Sequence, residues 1–514
     1  MSIYTSVARE GESRRVLALT SPIDLSPLGE LVCANREDVR AALMRARAAQ
    51  PAWASTSFAE RTAVMDRALA VLLARQDEII DTVVRETGKA RQDALSMEIW
   101  AAADSLCYYA KNAPKFLAAR KLKVHGLMGI MKQLRMVYRP LGVVGIITPW
   151  NGPFILGLNP SVQALMAGNA VLLKGSEVTP FSTRLVEDIF RAAGLPCDVL
   201  QVLMGDGQTG QHLTEAGVDK ISFTGSVRTG RLVAETCGRQ LIPCTLELGG
   251  KDAMIVCEDA DLERAAAGAI VGSCMNTGHY CCGTERIYVV ESVYDAFLAR
   301  VVEGTRKLRQ GNALGFEEDV GAVFWDRQLQ IIEEHVADAV ARGARVHVGG
   351  RRNPELAGLY YEPTVLSDVN HDMKIMQEET FGPILCIQKV RNVEEAICLA
   401  NESEYGLNGN VWTRDKEKGF EIACRIDTGA VSVNDMAMSY GVPAAPFGGR
   451  KASGIGQVNG ETGVRGYCHA MPILIDRFGG KELPSGYPYG AKKAEGMKKL
   501  MNFLWTTPVG RWLS

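Results

Sequence analysis

The segment QLRMVYRPLGVVGIITP, residues 133–149, marks a change of period in the chain. Before it, from Arg36 to Glu86, apolar residues recur every three or four positions, which predicts long amphipathic helices. Within it, β-branched residues follow one another in short runs, which predicts strands. Similar runs follow at residues 170–174 (AVLLK) and 220–225 (KISFTG), with helical patterns between them. Strands that alternate with helices predict an α/β fold with a parallel sheet.

The same alternation starts again after Gly250. Further strands are predicted at residues 252–259 (DAMIVCED), 286–292 (RIYVVES), 345–350 (RVHVGG) and 429–435 (GAVSVND). The chain of 514 residues is long enough for two or three domains with sizeable cores. We therefore predict two α/β domains.

Composition excludes several classes of partner. A formal net charge of −2 gives no reason to expect nucleic acid, so a small-molecule partner is predicted. The segment 1–15, MSIYTSVAREGESRR, is polar where a secretory signal needs an apolar run, and no stretch approaches the length of a spanning helix. The 13 cysteines, an odd number scattered along the chain, suit a reducing compartment. These features predict a cytoplasmic protein without stable insertion into a membrane.

The segment NTGHYCCGTER, residues 276–286, concentrates groups that could carry chemistry. A metal site is disfavoured, because adjacent cysteines crowd one ion and no second ligand pair has metal-binding spacing. A disulfide between Cys281 and Cys282 would be strained. Two buried structural thiols are the ordinary alternative. The polar residues just before Cys281 instead indicate a loop that could expose a nucleophilic thiol, and we predict no metal.

Four other segments carry glycine-marked turns. They are TPWNGPF (148–154), LELGGKD (246–252), EETFGP (378–383) and PFGGRKASGIG (446–456). Each alone could be a structural turn. Together and in this order they closely resemble the aldehyde dehydrogenase superfamily, with a resemblance that extends from about residue 21 to about residue 475. Cys281 also follows Glu247 at the spacing usual for that family's nucleophile and base.

The resemblance implies three catalytic roles. Cys281 would attack the aldehyde carbon as a thiolate and form a tetrahedral thiohemiacetal. Asn151 would donate its side-chain amide to the resulting oxyanion, together with the backbone N–H of Cys281. Glu247 would activate the water that hydrolyses the thioester after hydride transfer. The purely structural alternatives are that Asn151 only forms a turn and that Glu247 is a surface carboxylate in a loop.

The resemblance also implies a cofactor site, which lacks the common G-x-G-x-x-G pattern. The segment FTGSVRTG replaces it and is similar to the family's pyrophosphate site. The expected cofactor-binding residues are Thr148, Trp150, Lys174, Glu177, Phe223, Gly225, Ser226, Gly230, Gly249, Glu379 and Phe381. A carboxylate at Glu177 would repel a 2′-phosphate, so NAD is expected over NADP, although NADP use stays possible.

Three residues depart from the family pattern. Gly175 replaces the usual proline of the K-P-S-E motif and should loosen that turn. His279 replaces the glutamine before the nucleophile. Gly152 stands where many members carry an aromatic side chain beside the catalytic asparagine, which suggests a wide channel for bulky or aromatic aldehydes unless neighbouring loops fill the space.

The expected fold is a Rossmann-like cofactor domain at residues 1–120 and 140–248, a catalytic α/β domain at 249–465, and a small β arm at 121–139 and 466–480. In this family the arm joins subunits, so a homodimer or homotetramer is expected. Two alternatives to simple aldehyde oxidation remain. A CoA-acylating semialdehyde dehydrogenase is disfavoured by Glu247, which such relatives usually lack, and a non-catalytic structural member is disfavoured by the intact catalytic residues.

The C-terminal tail, residues 481–514, differs in character from the rest of the chain. Met497, Leu500, Met501, Leu504 and Trp505 are predicted to share one helical face. Docking of this helix on its own or a neighbouring subunit is the favoured interpretation. Binding to a membrane surface is the alternative, given the lysines at 492, 493, 498 and 499.

Overall fold

The computed structural model describes residues 3–7, 14–312, 315–436, 439–479 and 486–513. Its strands form four sheets, of three, six, seven and three strands. The strands are β1 Tyr4–Val7, β2 Val16–Thr20, β3 Pro27–Val32, β4 Arg120–Leu122, β5 Lys132–Pro140, β6 Val143–Ile147, β7 Ala170–Lys174, β8 Leu200–Val202, β9 Lys220–Thr224, β10 Cys244–Glu247, β11 Asp252–Val256, β12 Thr284–Val290, β13 Arg345–Val348, β14 Thr364–Ser367, β15 Ile384–Val390, β16 Gly409–Trp412, β17 Ser432–Val433, β18 Gly454–Ile455 and β19 Cys468–Asp476.

Helices cover both large sheets. They are α1 Arg36–Ser55, α2 Phe58–Ala74, α3 Gln76–Thr87, α4 Arg91–Asp93, α5 Ala101–Leu117, α6 Met128–Met131, α7 Ile155–Met166, α8 Pro180–Ala192, α9 Gly207–Glu215, α10 Val227–Gln240, α11 Leu262–Cys274, α12 Glu291–Arg306, α13 Asp326–Ala341, α14 Lys374–Gln377, α15 Val393–Asn401, α16 Lys416–Ala423, α17 Gly460–Arg465, α18 Ala491–Thr506 and α19 Pro508–Leu513. A π-helical segment, Ala94–Trp100, joins α4 to α5. Short 3-10 turns lie at Met275–Gly278 and Lys451–Ser453.

The long helices predicted between Arg36 and Glu86 are present as α1, α2 and α3. Local signals account for where the first two begin. In each, the side chain of the N-cap residue accepts a hydrogen bond from the backbone N–H three residues later. The acidic side chain at that later position accepts from the backbone N–H of the N-cap residue. The pairs are Asn35 with Asp38 and Ser57 with Glu60. The buried faces of α2 and α3 then pack into the core beside the first large sheet.

The six-stranded sheet has the order β18-β10-β9-β6-β7-β8. The strands from β10 to β8 run parallel, and only the two-residue β18 at the edge is antiparallel. From β6 the chain moves outward through β7 and β8, then crosses to β9 on the other side. A crevice therefore opens at the carboxyl ends of β6 and β9, the place where doubly wound sheets bind ligands.

The seven-stranded sheet has the order β13-β14-β15-β12-β11-β16-β17. All its pairs are parallel except β13 with β14. Its central strands β11 and β12 consist almost entirely of buried residues, as expected for a parallel sheet covered on both faces. Two parallel α/β sheets, as predicted, are thus confirmed.

Two smaller sheets complete the fold. The antiparallel sheet β19-β5-β4 pairs the segment before β6 with the segment after α17. An N-terminal antiparallel sheet, β1-β2-β3, was not predicted. The domain boundaries given above stay predictions, and the start of the C-terminal tail falls outside the described residues. Across the described ranges, no helix combines the length and the apolar character needed to cross a membrane.

Candidate active site

The residues expected to bind the cofactor lie along one edge of the six-stranded sheet. Four parallel strands end there, at Ile147, Lys174, Thr224 and Glu247. The segments that follow β6 and β9 carry the PWN and FTGS motifs. The sheet therefore gathers Thr148, Lys174, Gly225 and Glu247, which are far apart in sequence, at its carboxyl edge.

The opposite wall comes from the seven-stranded sheet, at the amino ends of its strands. Cys281 lies just before β12, and Glu379 and Phe381 lie just before β15. Gly249 and Gly250 connect the two walls, because they join β10 of one sheet to β11 of the other. The expected nucleophile thus lies just before a strand of one sheet, and the expected general base is the last residue of a strand of the other.

A cavity of about 860 Å³ lies between the two edges. Cys281, Glu247 and Asn151 line it, as do all the expected cofactor residues except Gly230. Gly230 lies in α10, where a Cβ atom would fall 2.5 Å from Leu248, so its role is to let the helix pack closely. The sequence motifs did not single out several other lining residues, among them Gln211, Arg228, Arg239, Trp325 and Arg327.

The loop before Cys281 has an unusual backbone. Asn276, Thr277 and Gly278 all have positive φ, at 57°, 56° and 74°. A Cβ atom at Gly278 would lie 2.1 Å from the carbonyl of Gly382, so only glycine allows this contact. The N–H of Asn276 donates to the buried carboxylate of Asp93 at 2.8 Å. Such backbone strain persists only where the surroundings hold it, and here it directs the chain toward Cys281.

Cys281 is partly accessible, whereas its neighbour Cys282 is buried, with 1% of its surface exposed. A hydrogen bond with the Cys282 thiol, followed by burial, raises the pKa of Cys281 well above its usual range. None of the cysteines that the structure describes forms a disulfide. Among the described residues, no group of three or more His, Cys, Asp or Glu side chains could hold a metal ion. Cys281 is thus a thiol at rest, and a base must take its proton when it reacts.

Glu247 is the last residue of β10, and it is buried with 5% exposure. The alternative that Glu247 is a surface carboxylate in a loop is therefore wrong. Neither carboxyl oxygen has a hydrogen-bond partner within the described chain. Burial raises the pKa of Glu247 well above its usual range, and the charge of Cys281 raises it further. Burial of a carboxyl group without a hydrogen-bond partner destabilises the folded protein. A carboxyl group in such a position, facing a cavity, is a candidate proton acceptor.

The side chain of Asn151 donates from Nδ2 to the carbonyl of His279 at 3.0 Å. Its backbone carbonyl accepts from Lys89 Nζ and from Asn276 Nδ2, both at 3.0 Å. Asn276 Nδ2 also donates to the His279 carbonyl, at 2.7 Å. One hydrogen of the Asn151 amide is engaged in fixing the side chain, and the second is available to another acceptor.

A buried ion pair that was not predicted holds the Asn151 loop. Lys89 Nζ lies 2.7 Å from Glu98 Oε1, and both side chains are fully buried. The other carboxylate oxygen of Glu98 accepts from the N–H groups of Phe154 and Ile155, at 3.2 and 2.9 Å, at the start of α7. Breaking a buried pair of this kind costs several kcal/mol, because one charge is left uncompensated. The pair therefore fixes both ends of the turn that carries Asn151.

His279, which replaces the usual glutamine, is packed among aromatic rings. Its ring centre lies 4.4 Å from that of Phe324, 5.1 Å from that of Trp150 and 5.8 Å from that of Phe381. Burial lowers the pKa of His279 to about 3. The imidazole is accordingly neutral at ordinary pH and serves to pack the loop before Cys281 rather than to transfer protons.

The cavity wall fits a dinucleotide. Lys174 Nζ lies 3.5 Å from Glu177 Oε2, at the point expected for an adenosine ribose. Burial lowers the pKa of Lys174, and the charge of Glu177 opposes this shift. Gly225 and Ser226 precede the 14-residue helix α10, so its N-terminal end opens onto the cavity and suits a pyrophosphate. The buried hydroxyl of Thr148 has no partner within the described chain, as expected of a ligand-binding group.

The far end of the cavity is formed by the loop that carries Glu379 and Phe381. Glu285 accepts the N–H groups of Thr380 and Phe381, at 2.8 and 2.9 Å, and so holds Phe381 at a φ of 51°. Glu379 accepts from the N–H of Gly250 at 2.9 Å. Burial, with a smaller contribution from Glu285, raises the pKa of Glu379 to about 8.

Two of the departures from the family pattern are compensated by packing. A Cβ atom at Gly152 would lie 3.2 Å from Leu156 and 3.3 Å from Ile155, so these side chains occupy the space next to it. A Cβ atom at Gly175 would lie 2.2 Å from the hydroxyl of Thr183. The turn at Gly175 is thus buried and packed against α8, and the expectation that glycine loosens it stays a prediction.

Known proteins resemble this chain over nearly its whole length. The family model described as Aldehyde dehydrogenase family matches residues 8–473. A protein of Mycolicibacterium smegmatis provisionally named succinate-semialdehyde dehydrogenase (NADP(+)) is 40% identical over 452 residues, 88% of this chain and 87% of that protein. The 4,4'-diapolycopene aldehyde oxidase of Methylomonas sp is 37% identical over 489 residues, 95% of this chain and 91% of that protein. The crystal structure of a Mycobacterium tuberculosis aldehyde dehydrogenase complexed with NAD+ has a TM-score of 0.86 at 35% identity, over 94% of this chain and 97% of that one.

Proposed function

The chain belongs to the aldehyde dehydrogenase family, and on that premise we propose that it oxidises an aldehyde to the carboxylic acid with NAD+, through a thiohemiacetal and then a thioester on Cys281. Family membership establishes an oxidoreductase that acts on aldehydes. One observation carries the covalent route: Cys281, Glu247 and Asn151 line the same cavity, with the nucleophile and the base on facing edges of two sheets.

In the first step, Cys281 Sγ forms a bond to the aldehyde carbon and the carbonyl oxygen becomes an oxyanion. The thiol proton passes to the carboxylate of Glu247. Burial makes this carboxylate a stronger base than an exposed one, which brings its pKa closer to that of the thiol. Bound NAD+ would serve as the two-electron oxidant that accepts hydride from this carbon.

In the second step, the resulting thioester is hydrolysed. Glu247 first releases the thiol proton to solvent and becomes a carboxylate again. It then accepts a proton from a water molecule, whose oxygen attacks the acyl carbon while the carbon–sulfur bond breaks. The acid leaves and Cys281 is restored. A CoA-acylating reaction would not need this base, so the retained Glu247 favours water as the acyl acceptor. Adding CoA to the assay should leave the rate of NADH formation unchanged.

Asn151 would stabilise the oxyanion with the second hydrogen of its amide. Replacing Asn151 by alanine should lower kcat by about 10²–10³-fold, the usual loss of one oxyanion donor, with a smaller change in the affinity for NAD+. Steady-state kinetics and cofactor titration by fluorescence measure both quantities.

Asn276 offers the matched control for this prediction. Its amide donates to the same His279 carbonyl as that of Asn151, and it holds the same loop. If Asn276→Ala lowers kcat as much as Asn151→Ala does, the effect belongs to the position of the loop, and the oxyanion role of Asn151 is excluded.

We expect NAD+ to be preferred over NADP+. The carboxylate of Glu177 lies beside Lys174, where the adenosine ribose would bind, and it would repel a 2′-phosphate. Because placing like charges together costs several kcal/mol, kcat/KM for NAD+ should exceed that for NADP+ by at least about tenfold. Kinetics with both cofactors measure this ratio.

Two variants test whether Glu177 causes the preference for NAD+ over NADP+. Glu177→Gln should bring the two kcat/KM values closer together. Glu235→Gln removes an equal charge from the same cavity wall, but next to Arg239, and should leave the ratio unchanged. An equal ratio in the wild-type enzyme, or an equal effect of both variants, would refute the role of Glu177. The NADP named for one relative makes this comparison necessary.

The substrate is proposed to be an apolar aldehyde. Cys281 and Cys282 belong to an apolar cluster with Leu407, Phe447 and Val458, and the wall beside Gly152 is formed by Leu156. The names of the two relatives differ in substrate, one being 4,4'-diapolycopene aldehyde and the other succinate semialdehyde. A panel of aliphatic, aromatic and carboxylated aldehydes should give the highest kcat/KM for the uncharged ones.

We also propose a homodimer or homotetramer. The sheet β19-β5-β4 leaves β19 as an edge strand with exposed apolar side chains, among them Leu474 and Ile475. Native proteins cover such edges, and a second copy of the chain could do so. Light scattering gives the mass in solution.

A further inference from the structure

The C-terminal helices α18 and α19 form a small unit with an uncovered apolar side. Along α18, apolar residues recur at the spacing of one helical face. This apolar face consists of Met497, Leu500, Met501, Leu504 and Trp505. From the sequence, docking of this face on a protein subunit is the favoured interpretation. The exposed fractions of its side chains show whether the described chain itself covers the face.

Within the described chain, only one member of the apolar face is buried. Leu504 is 8% exposed, because α19 folds back and brings the backbone of Gly510 against it. Met497 is 61% exposed and Trp505 is 54% exposed. Trp512, on α19, is 84% exposed. The body of the described protein therefore does not cover this face, and two tryptophans project from the unit.

The unit is also strongly basic. Residues 486–513 contain five basic side chains, Lys492, Lys493, Lys498, Lys499 and Arg511, and a single acidic one, Glu495. Lys499 lies 3.1 Å from Glu495, and within this segment the lysines outnumber the acidic side chains by four to one. The whole chain has a net charge of −2, so this charge is concentrated in the tail rather than spread over the protein.

We propose that α18 and α19 dock the enzyme on the surface of an anionic lipid bilayer. The apolar face enters the boundary between headgroups and acyl chains, while the lysines beside it meet lipid phosphates. Trp505 and Trp512 lie at the level of the headgroups, where tryptophan is enriched. At 16 residues α18 is too short to span a bilayer, so the helix lies on the membrane and does not cross it.

The charge pattern selects lipid over a second protein chain. Lysine is depleted from the cores of protein interfaces, whereas lysines next to an apolar helix face are typical of helices that bind membrane surfaces. The proposal is independent of the aldehyde chemistry, because its test measures binding and not turnover.

The test is co-sedimentation of the full chain with vesicles. With vesicles of phosphatidylglycerol and phosphatidylcholine in equal parts, the wild-type protein should sediment with the lipid. With phosphatidylcholine alone, most of it should stay in solution, and added salt should weaken binding to the anionic vesicles. If the wild-type protein does not sediment with anionic vesicles, the proposal is refuted.

Two double variants with the same change of charge separate insertion from simple adsorption. Met497→Glu with Met501→Glu introduces carboxylates into the apolar face, and should weaken vesicle binding by at least about tenfold. Asn502→Glu with Thr506→Glu introduces them on the opposite, exposed face, and should weaken it much less. Equal losses would mean adsorption by charge alone and would overturn the docking of the apolar face.

Circular dichroism and turnover of a water-soluble aldehyde check that both variants remain folded. Light scattering identifies a second copy of the chain as the alternative occupant. Suppose that the wild-type protein does not bind vesicles, and that the variant with Met497→Glu and Met501→Glu has a lower mass in solution than the wild type. The apolar face is then a subunit contact, and the lipid proposal is wrong.

Discussion

Replacement of Cys281 by alanine is expected to abolish even a single turnover. Cys281 is the one cysteine among the described residues that line the cavity, so rapid mixing of this variant with NAD+ and aldehyde should show no burst of NADH. Loss of a nucleophile of this type lowers kcat by about 10⁴-fold or more. Stopped-flow absorbance of NADH, compared with the concentration of active sites, measures the burst.

Cys282→Ala is the matched control for this prediction. It removes a thiol one position along the chain, yet Cys282 is buried and packs in the apolar cluster with Leu407 and Phe447. Because its hydrogen bond raises the pKa of Cys281, its loss should make Cys281 easier to deprotonate and leave the burst intact. A burst in Cys281→Ala that disappears when Cys282 is also replaced would transfer the nucleophile role to Cys282.

Replacement of Glu247 by glutamine is expected to separate the two half-reactions. Glutamine keeps the shape of the side chain but cannot take a proton from water, so acylation occurs once and hydrolysis stalls. The burst should approach one NADH per active site and then give way to a steady state that is about 10²–10⁴-fold slower than that of the wild type. Because Glu247 also accepts the thiol proton in the first step, the burst should be slower than in the wild type while its amplitude is kept.

The pH dependence of the steady-state rate tests the same role. Burial raises the pKa of Glu247 well above its usual range, so its carboxylate, the form that accepts a proton, is populated only at correspondingly higher pH. The wild-type kcat should therefore rise with pH, with an apparent pKa clearly above that of an ordinary glutamate. Glu247→Gln should lack this rise, and Glu247→Asp should keep it at a lower rate. An unchanged pH profile in Glu247→Gln would exclude Glu247 as the base of hydrolysis.

The sequence predicts much of the fold because its strands are short and separated. The segment AVLLK coincides with β7, and KISFTG with β9 to within one residue, since short apolar runs bounded by turns are typical of buried strands. The N-terminal sheet β1-β2-β3 escaped prediction. β3 exposes most of its residues, and the apolar run VLAL in β2 is too short to distinguish a strand from another buried segment. Long-range packing rather than local preference determines such strands.

The residues of the candidate site could be predicted where they lie in short, recognisable sequence motifs. Asn151, Glu247 and Cys281 stand in short glycine-marked segments, and the cavity brings all three together. The ion pair between Lys89 and Glu98 gave no such signal. A lysine between two helices and a glutamate on a helical segment look like surface charges in sequence, and only the packing around Asn151 shows that both are fully buried.

The meeting of two sheet edges at the cavity has a consequence for how such enzymes diversify. The expected cofactor residues Lys174 and Glu177 follow a strand of one sheet, whereas the expected nucleophile lies before a strand of the other. Substitutions around Lys174 and Glu177 are therefore expected to change the choice of coenzyme without altering the segment that carries Cys281. Chimaeras joined at Gly249 and Gly250, where the chain passes from one sheet to the other, would exchange these two segments separately.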